Sequence, residues 1–152
     1  MFYICNNLVN LDVTNFNTKN SKSFYYMFYE CYNLKKIDVS KFNSSKCESI
    51  YSMFFGCNNI TEIDMINWDM SNLKYDGEYH ECNPIDYLFD GCSKLTKIKI
   101  SGDLKKEEAN KDFRGNIFRG VPENGILINK KGITCNIPLD GYLPQSWDRS
   151  KE

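Results

Sequence analysis

Apolar positions in this chain recur with a fixed step. Met1-Phe2, Cys5, Leu8, Leu11 and Val13 are followed 26 residues later by Met27-Phe28, Cys31, Leu34, Ile37 and Val39. The same step leads to Met53-Phe54, Cys57, Ile60, Ile63 and Met65. A fourth copy, Leu88-Phe89, Cys92, Leu95, Ile98 and Ile100, follows after 35 residues. Self-similarity at a period of roughly 20 to 50 residues predicts an array of stacked units. Within the second copy Ile37, Asp38 and Val39 alternate as a short half-buried strand does. Phe42, matched by Phe16 and Trp68, turns a large ring inward. Asn43-Ser44-Ser45-Lys46 is turn-like. Ile50, Met53 and Phe54 stand at i, i+3 and i+4, with Cys57 three further on. That spacing predicts one or two turns of α or 3₁₀ helix.

No copy can bury these side chains alone. Stacking copies at strand spacing, about 4.8 Å, sets like residue on like. The predicted columns are Leu11/Ile37/Ile63/Ile98, Val13/Val39/Met65/Ile100, Phe2/Phe28/Phe54/Phe89 and Met1/Met27/Met53/Leu88.

The run Met27 to Phe42, written Met-Phe-x-x-Cys-x-x-Leu-x-x-Ile-Asp-Val-Ser-x-Phe, resembles the BspA-like class of leucine-rich repeats. Residues 1 to 104 carry the resemblance. Residues 117 to 128 are similar to a degenerate last repeat, with Val121 in the cysteine position. The resemblance implies an α/β solenoid: a right-handed coil of about five turns with short parallel strands and low helix content. It also implies a non-enzymatic segment of a surface or secreted protein that mediates protein or glycan recognition or adhesion. The expected location is therefore extracellular or at the cell surface. No catalytic or cofactor-binding residues transfer from the family.

The expected organisation is a repeat array over residues 1–128, then a cap and tail over 129–152 with Trp147 lying across the last coil. The array carries an insertion at 75–83 and an irregular charged segment at 101–116. The chain opens in register with its own repeat and shows no signal peptide, as an excised piece would. An uncapped first copy predicts possible end-to-end stacking, on another chain or on a missing amino-terminal part.

Composition narrows the partners. Hydrophobic residues make up 41% of the 152, enough for a packed core. The net charge of -1 lacks the basic excess that nucleic acid demands. No run reaches the ~18 apolar residues of a membrane span. The seven cysteines are odd in number and lack a Cys-x-x-Cys pair, so the column Cys5/Cys31/Cys57/Cys92 reads as buried free thiols. No metal or cofactor is expected.

Candidate partner-binding residues fall in two places. Outward strand positions form one row of Asn10, Lys36, Glu62 and Lys97, and a second of Asp12, Asp38, Asp64 and Lys99. Stacked aspartates repel one another, so they either bind a cation or a basic partner strip, or accept bonds from nearby backbone and hydroxyl groups. The insertion supplies Tyr75, Tyr79 and His80. His80 stands near Cys82, Glu78 and Glu81, but no third group positions it for catalysis.

Overall fold

The computed structural model describes residues 1–74, 83–101 and 116–137. Tyr75, Tyr79 and His80 lie outside them, as do most of the charged segment and the tail with Trp147. The described residues contain four strands: β1 (Glu62–Met65), β2 (Lys97–Ile100), β3 (Ile126–Ile128) and β4 (Thr134–Asn136). They form one sheet in the order β1-β2-β3-β4. The first two pairings are parallel, with Ile63 on Ile98 and Ile98 on Leu127. β4 returns antiparallel against β3, pairing Cys135 with Leu127. Copies 1 and 2 reach this side only as a parallel bridge between Asn10 and Lys36.

Inward columns fill the interior. Phe2, Phe28, Phe54, Phe89 and Phe118 stack with ring centroids 5.5–6.0 Å apart. Full burial of such a ring stabilises the fold by about 1.5–3 kcal/mol. Trp68 packs against Phe42 and Phe24. Its indole N–H donates to the Val39 carbonyl of the preceding copy at 3.0 Å, so the ring is buried without an orphaned donor.

The side opposite the strands departs from expectation. The described residues contain no helix where residues 50–57 predict one. In place of helix, the backbone runs as consecutive tight turns. Met53 N–H donates to Ile50 C=O, Phe55 to Ser52 and Cys57 to Phe54. The alternate amides leave the copy altogether. Phe28 donates to Met53 C=O of the next copy at 2.9 Å, Glu30 to Phe55 at 2.7 Å, Phe54 to Leu88 at 3.1 Å and Gly56 to Asp90 at 2.8 Å. A helix would hold every amide in its own i→i−4 ladder. Here half of them hold neighbouring copies together.

The sharp turns use left-handed backbone at two fixed repeat positions. Tyr26, Ser52 and Tyr87 occupy the first, with φ of 53°, 50° and 57°. Ile4, Glu30, Gly56, Gly91 and Gly120 occupy the second, with φ of 55°, 55°, 70°, 77° and 77°. Glycine takes that conformation without steric cost.

Candidate functional site

The strand face is built from paired, self-satisfied charges. Asp12 Oδ1 accepts from the Thr14 amide at 2.9 Å and the Thr14 hydroxyl at 2.6 Å. Asp38 repeats this with Ser40 at 3.0 and 2.6 Å. These bonds hold both carboxyls below the usual carboxylate range, the hydroxyl bond being the larger cause. Asp64 accepts from the Ile66 amide at 3.1 Å, and Lys99 replaces the missing hydroxyl by reaching Asp64 Oδ2 at 2.7 Å. Lys97 pairs with Glu62 at 3.0 Å, and Lys99 approaches the same carboxylate at 3.9 Å. The structure thus joins Glu62, Asp64, Lys97 and Lys99 in one ionic cluster. Asn10 and Lys36 stand in register beside it, exposed. The aspartate row is first of all a turn device, in which each side chain closes the bend that leaves the strand.

A second file of the same kind passes through the turn-like Asn43-Ser44-Ser45-Lys46 segment. Asn17, Asn43 and Asp69 accept from the amides of Lys19, Ser45 and Ser71. Asparagine amides also tie copies together. Asn33 donates to the Asn6 carbonyl at 2.6 Å and Asn59 to the Tyr32 carbonyl at 2.7 Å.

The cysteine column has a polar task beyond filling space. Cys31 Sγ donates to the Phe2 carbonyl at 3.0 Å, Cys57 to Phe28 at 3.1 Å and Cys92 to Phe54 at 3.1 Å. The six described cysteines are free. Burial pushes the Cys57 and Cys92 thiols well above their ordinary value. Groups with that environment do not serve as nucleophiles. Among the described residues no cluster of three or more His, Cys, Asp or Glu is placed to hold a metal ion. No helix there is long and apolar enough to cross a membrane.

The turn side carries the surface that sequence reasoning missed. Tyr3, Tyr29 and Phe55 stack at 5.1 and 4.8 Å with planes 14° and 7° apart. Tyr25 stacks on Tyr51 at 5.4 Å, and Tyr51 meets Tyr87 edge-on. Tyr26 lies between the two files, 4.6 Å from Tyr29. Apart from the exposed Tyr3, these rings are partly buried and reach solvent. Partial burial, together with Glu30, pushes the Tyr29 hydroxyl up to about 12. The Tyr32 hydroxyl also bonds Glu30 and is raised mainly by it. The 26-residue alignment that gave the phenylalanine column contains this file too, one residue along. One copy further on, the buried Asp90 carboxylate is held by Arg119 at 2.7 and 3.1 Å.

A family model described as a Mycoplasma protein of unknown function, DUF285, matches residues 1–84, more than half of the chain. The chain belongs to this family. The DUF285 match spans the first three copies and the two strand-face rows within them. No curated protein and no solved structure matches.

Proposed function

We propose that this DUF285 member is a non-catalytic recognition module, a solenoid of the leucine-rich-repeat type that binds a protein partner. One observation carries the reading: the file of half-exposed aromatic rings on the turn side. The inward columns already supply the core, so the file is not needed to fill it. Stacked tyrosines give a large, amphipathic contact area that loses little entropy on binding, the kind of surface enriched at protein interfaces. Ring faces within the file are covered by neighbouring rings. A sugar that stacks on a ring face finds few free faces here. A protein that meets ring edges and hydroxyls finds many, which favours protein over glycan. The strand face, with Asn10, Lys36, Glu62 and Lys97, is the secondary surface of the same module. A location outside the cell follows from the repeat resemblance alone.

The test uses two double variants of the whole chain, Tyr29→Ser with Tyr51→Ser and Lys36→Ala with Glu62→Ala. Each is immobilised against a partner captured by the parent chain and against a glycan array. The tyrosine variant should lose at least ~30-fold in affinity, as hot-spot residues do, while circular dichroism stays unchanged. Partner binding that survives the tyrosine changes, or a glycan bound through the same rings, overturns the reading.

A further inference from the structure

We propose that the protein partner docks an arginine side chain on Glu30, against the ring of Tyr32 and beside the aromatic file. This inference rests on the reading of that file as the contact surface, and it names the chemistry that the surface selects.

The turn side is short of positive charge. Segments 24–33, 50–59, 84–93 and 116–121 hold no lysine and a single arginine, Arg119, although the chain has 19 lysines and arginines. Their acids are Glu30, Asp86 and Asp90. Asp86 and Asp90 are buried, the second of them held by Arg119. Glu30 is the acid of these segments that reaches solvent. Among the described residues no lysine or arginine pairs with it, whereas Glu48, Glu62 and Asp64 each have a lysine. Protein interfaces are depleted in lysine and set opposite charges against each other. A half-exposed carboxylate without a cation, in an aromatic surface without lysine, is complementary to a basic partner.

The local build selects the basic group. The Glu30 amide donates to the Phe55 carbonyl of the next copy at 2.7 Å, which fixes the residue beside Gly56. A Cβ on Gly56 would meet Glu30 Cγ at 3.3 Å and Tyr32 Cε1 at 3.4 Å. Glycine leaves the space in which the Glu30 stem and the Tyr32 ring converge. The Tyr29 and Tyr32 hydroxyls both bond the Glu30 carboxylate. Each phenol has one proton, so toward a ligand these oxygens only accept, as the carboxylate does. The site therefore takes a donor. Tyr29 stacks between Tyr3 and Phe55, but Tyr32 stacks on no ring among the described residues. A planar guanidinium can lie on that ring while its N–H fork meets several acceptors, which an ammonium cannot do. A calcium ion would need more oxygens than one carboxylate supplies. The turn side already holds one arginine in this way. Asp90 stands one copy beyond Phe55, and Arg119 meets its two oxygens at 3.1 and 2.7 Å.

The test uses the whole chain and its Glu30→Gln variant, which keeps the length of the side chain and removes the charge. N-acetylarginine amide is titrated into each and followed by the amide NMR shifts of Glu30, Tyr32 and Gly56. N-acetylcitrulline amide, uncharged and nearly the same shape, and N-acetyllysine amide are the controls at matched ionic strength. Saturable shifts are expected with the arginine compound, at least ~10-fold weaker in Glu30→Gln and with the citrulline compound. Absence of saturation, an affinity that Glu30→Gln leaves unchanged, or a citrulline or lysine compound that binds as tightly overturns the proposal. The partner captured by the parent chain separates this inference from the reading beneath it. If Tyr29→Ser with Tyr51→Ser abolishes capture and Glu30→Gln spares it, the file remains the contact surface and the arginine site falls.

Discussion

Copies 1 and 3 spell nearly the same motif and live in different environments. Met53, Phe54, Cys57, Ile60 and Ile63 are fully buried. Their equivalents Phe2, Cys5, Leu8 and Leu11 are only partly covered, and Met1 is 84% exposed. Copy 3 has a neighbour on both sides and copy 1 on one. Burial in this molecule is set by place in the stack more than by the letters of the repeat, as expected where stability is a sum of nearest-neighbour interfaces. The first copy even keeps poorer chemistry. It holds a β-branched isoleucine at the left-handed position where copies 3 to 5 hold glycine.

The largest effect should come from the aromatic column. Phe54→Ala empties a site closed on both faces and should cost about 3–5 kcal/mol. Phe2→Ala removes a ring whose outer side is open and should cost less than about 2 kcal/mol. Denaturant midpoints of the two variants give the comparison directly. Equal losses would mean that copy 1 is packed as tightly as copy 3.

Next is the second left-handed position. Gly91→Ala places a Cβ 3.5 Å from the Gly56 backbone, ordinary contact, so its cost is that of the backbone alone. About 1–2 kcal/mol is expected. Ile4→Gly relieves the same strain in copy 1 and should stabilise by up to ~1 kcal/mol, reduced by the entropy of glycine in the unfolded chain. Thermal melting of the pair tests the sign. A smaller effect should follow Cys57→Val, which keeps an apolar side chain, as Val121 does naturally, and loses the thiol bond. About 1 kcal/mol is expected. In the parent chain, Cys5 should alkylate well before Cys57 and Cys92, read by mass spectrometry of timed aliquots.

Much of the stacking was legible because like positions recur at one interval. Ile63 and Ile98, or Asp64 and Lys99, can be set side by side from the sequence, and β1 and β2 pair them. The turn side was not. Apolar residues at i, i+3 and i+4 suit a helix and a chain of three-residue turns equally. The choice depends on whether the amides stay home or reach the next copy. Gly56, Gly91 and Gly120 at one repeat position were the available signal, since a recurring glycine marks positive φ. The tyrosine file was missed for a different reason. Alignment at 26 residues also lines up Tyr3 with Tyr29 and Tyr25 with Tyr51, but attention to inward columns left them aside. Short strands in copies 1 and 2 were also expected, and only a single bridge forms there. Strand pairing is completed on both edges for β2 and β3 only.

The smallest difference between the two ends should be visible in acid. Asp12 and Asp38 rely on Thr14 and Ser40, whose bonds favour the ionised carboxylate. Their folded-state proton affinity is lower than in the unfolded chain. The stability they contribute is present above the ordinary carboxylate range and is lost as pH falls through it. Asp86, near copy 4, has the opposite sign. Burial raises it, only partly offset by bonds from the Asn83 amide and side chain. Its contribution is full at low pH and declines as pH rises through its folded value. Asp38→Asn should therefore flatten the acid limb of a stability profile, and Asp86→Asn should flatten the fall above it. Both effects are modest, that of Asp38 most of all, because solvent screens an exposed carboxylate. Melting temperatures between pH 3 and pH 7 would distinguish them. If Asp38→Asn leaves the acid limb unchanged, the Ser40 bonds do not favour the charged form, and the strand-face aspartates must owe their place to something other than closing the turn.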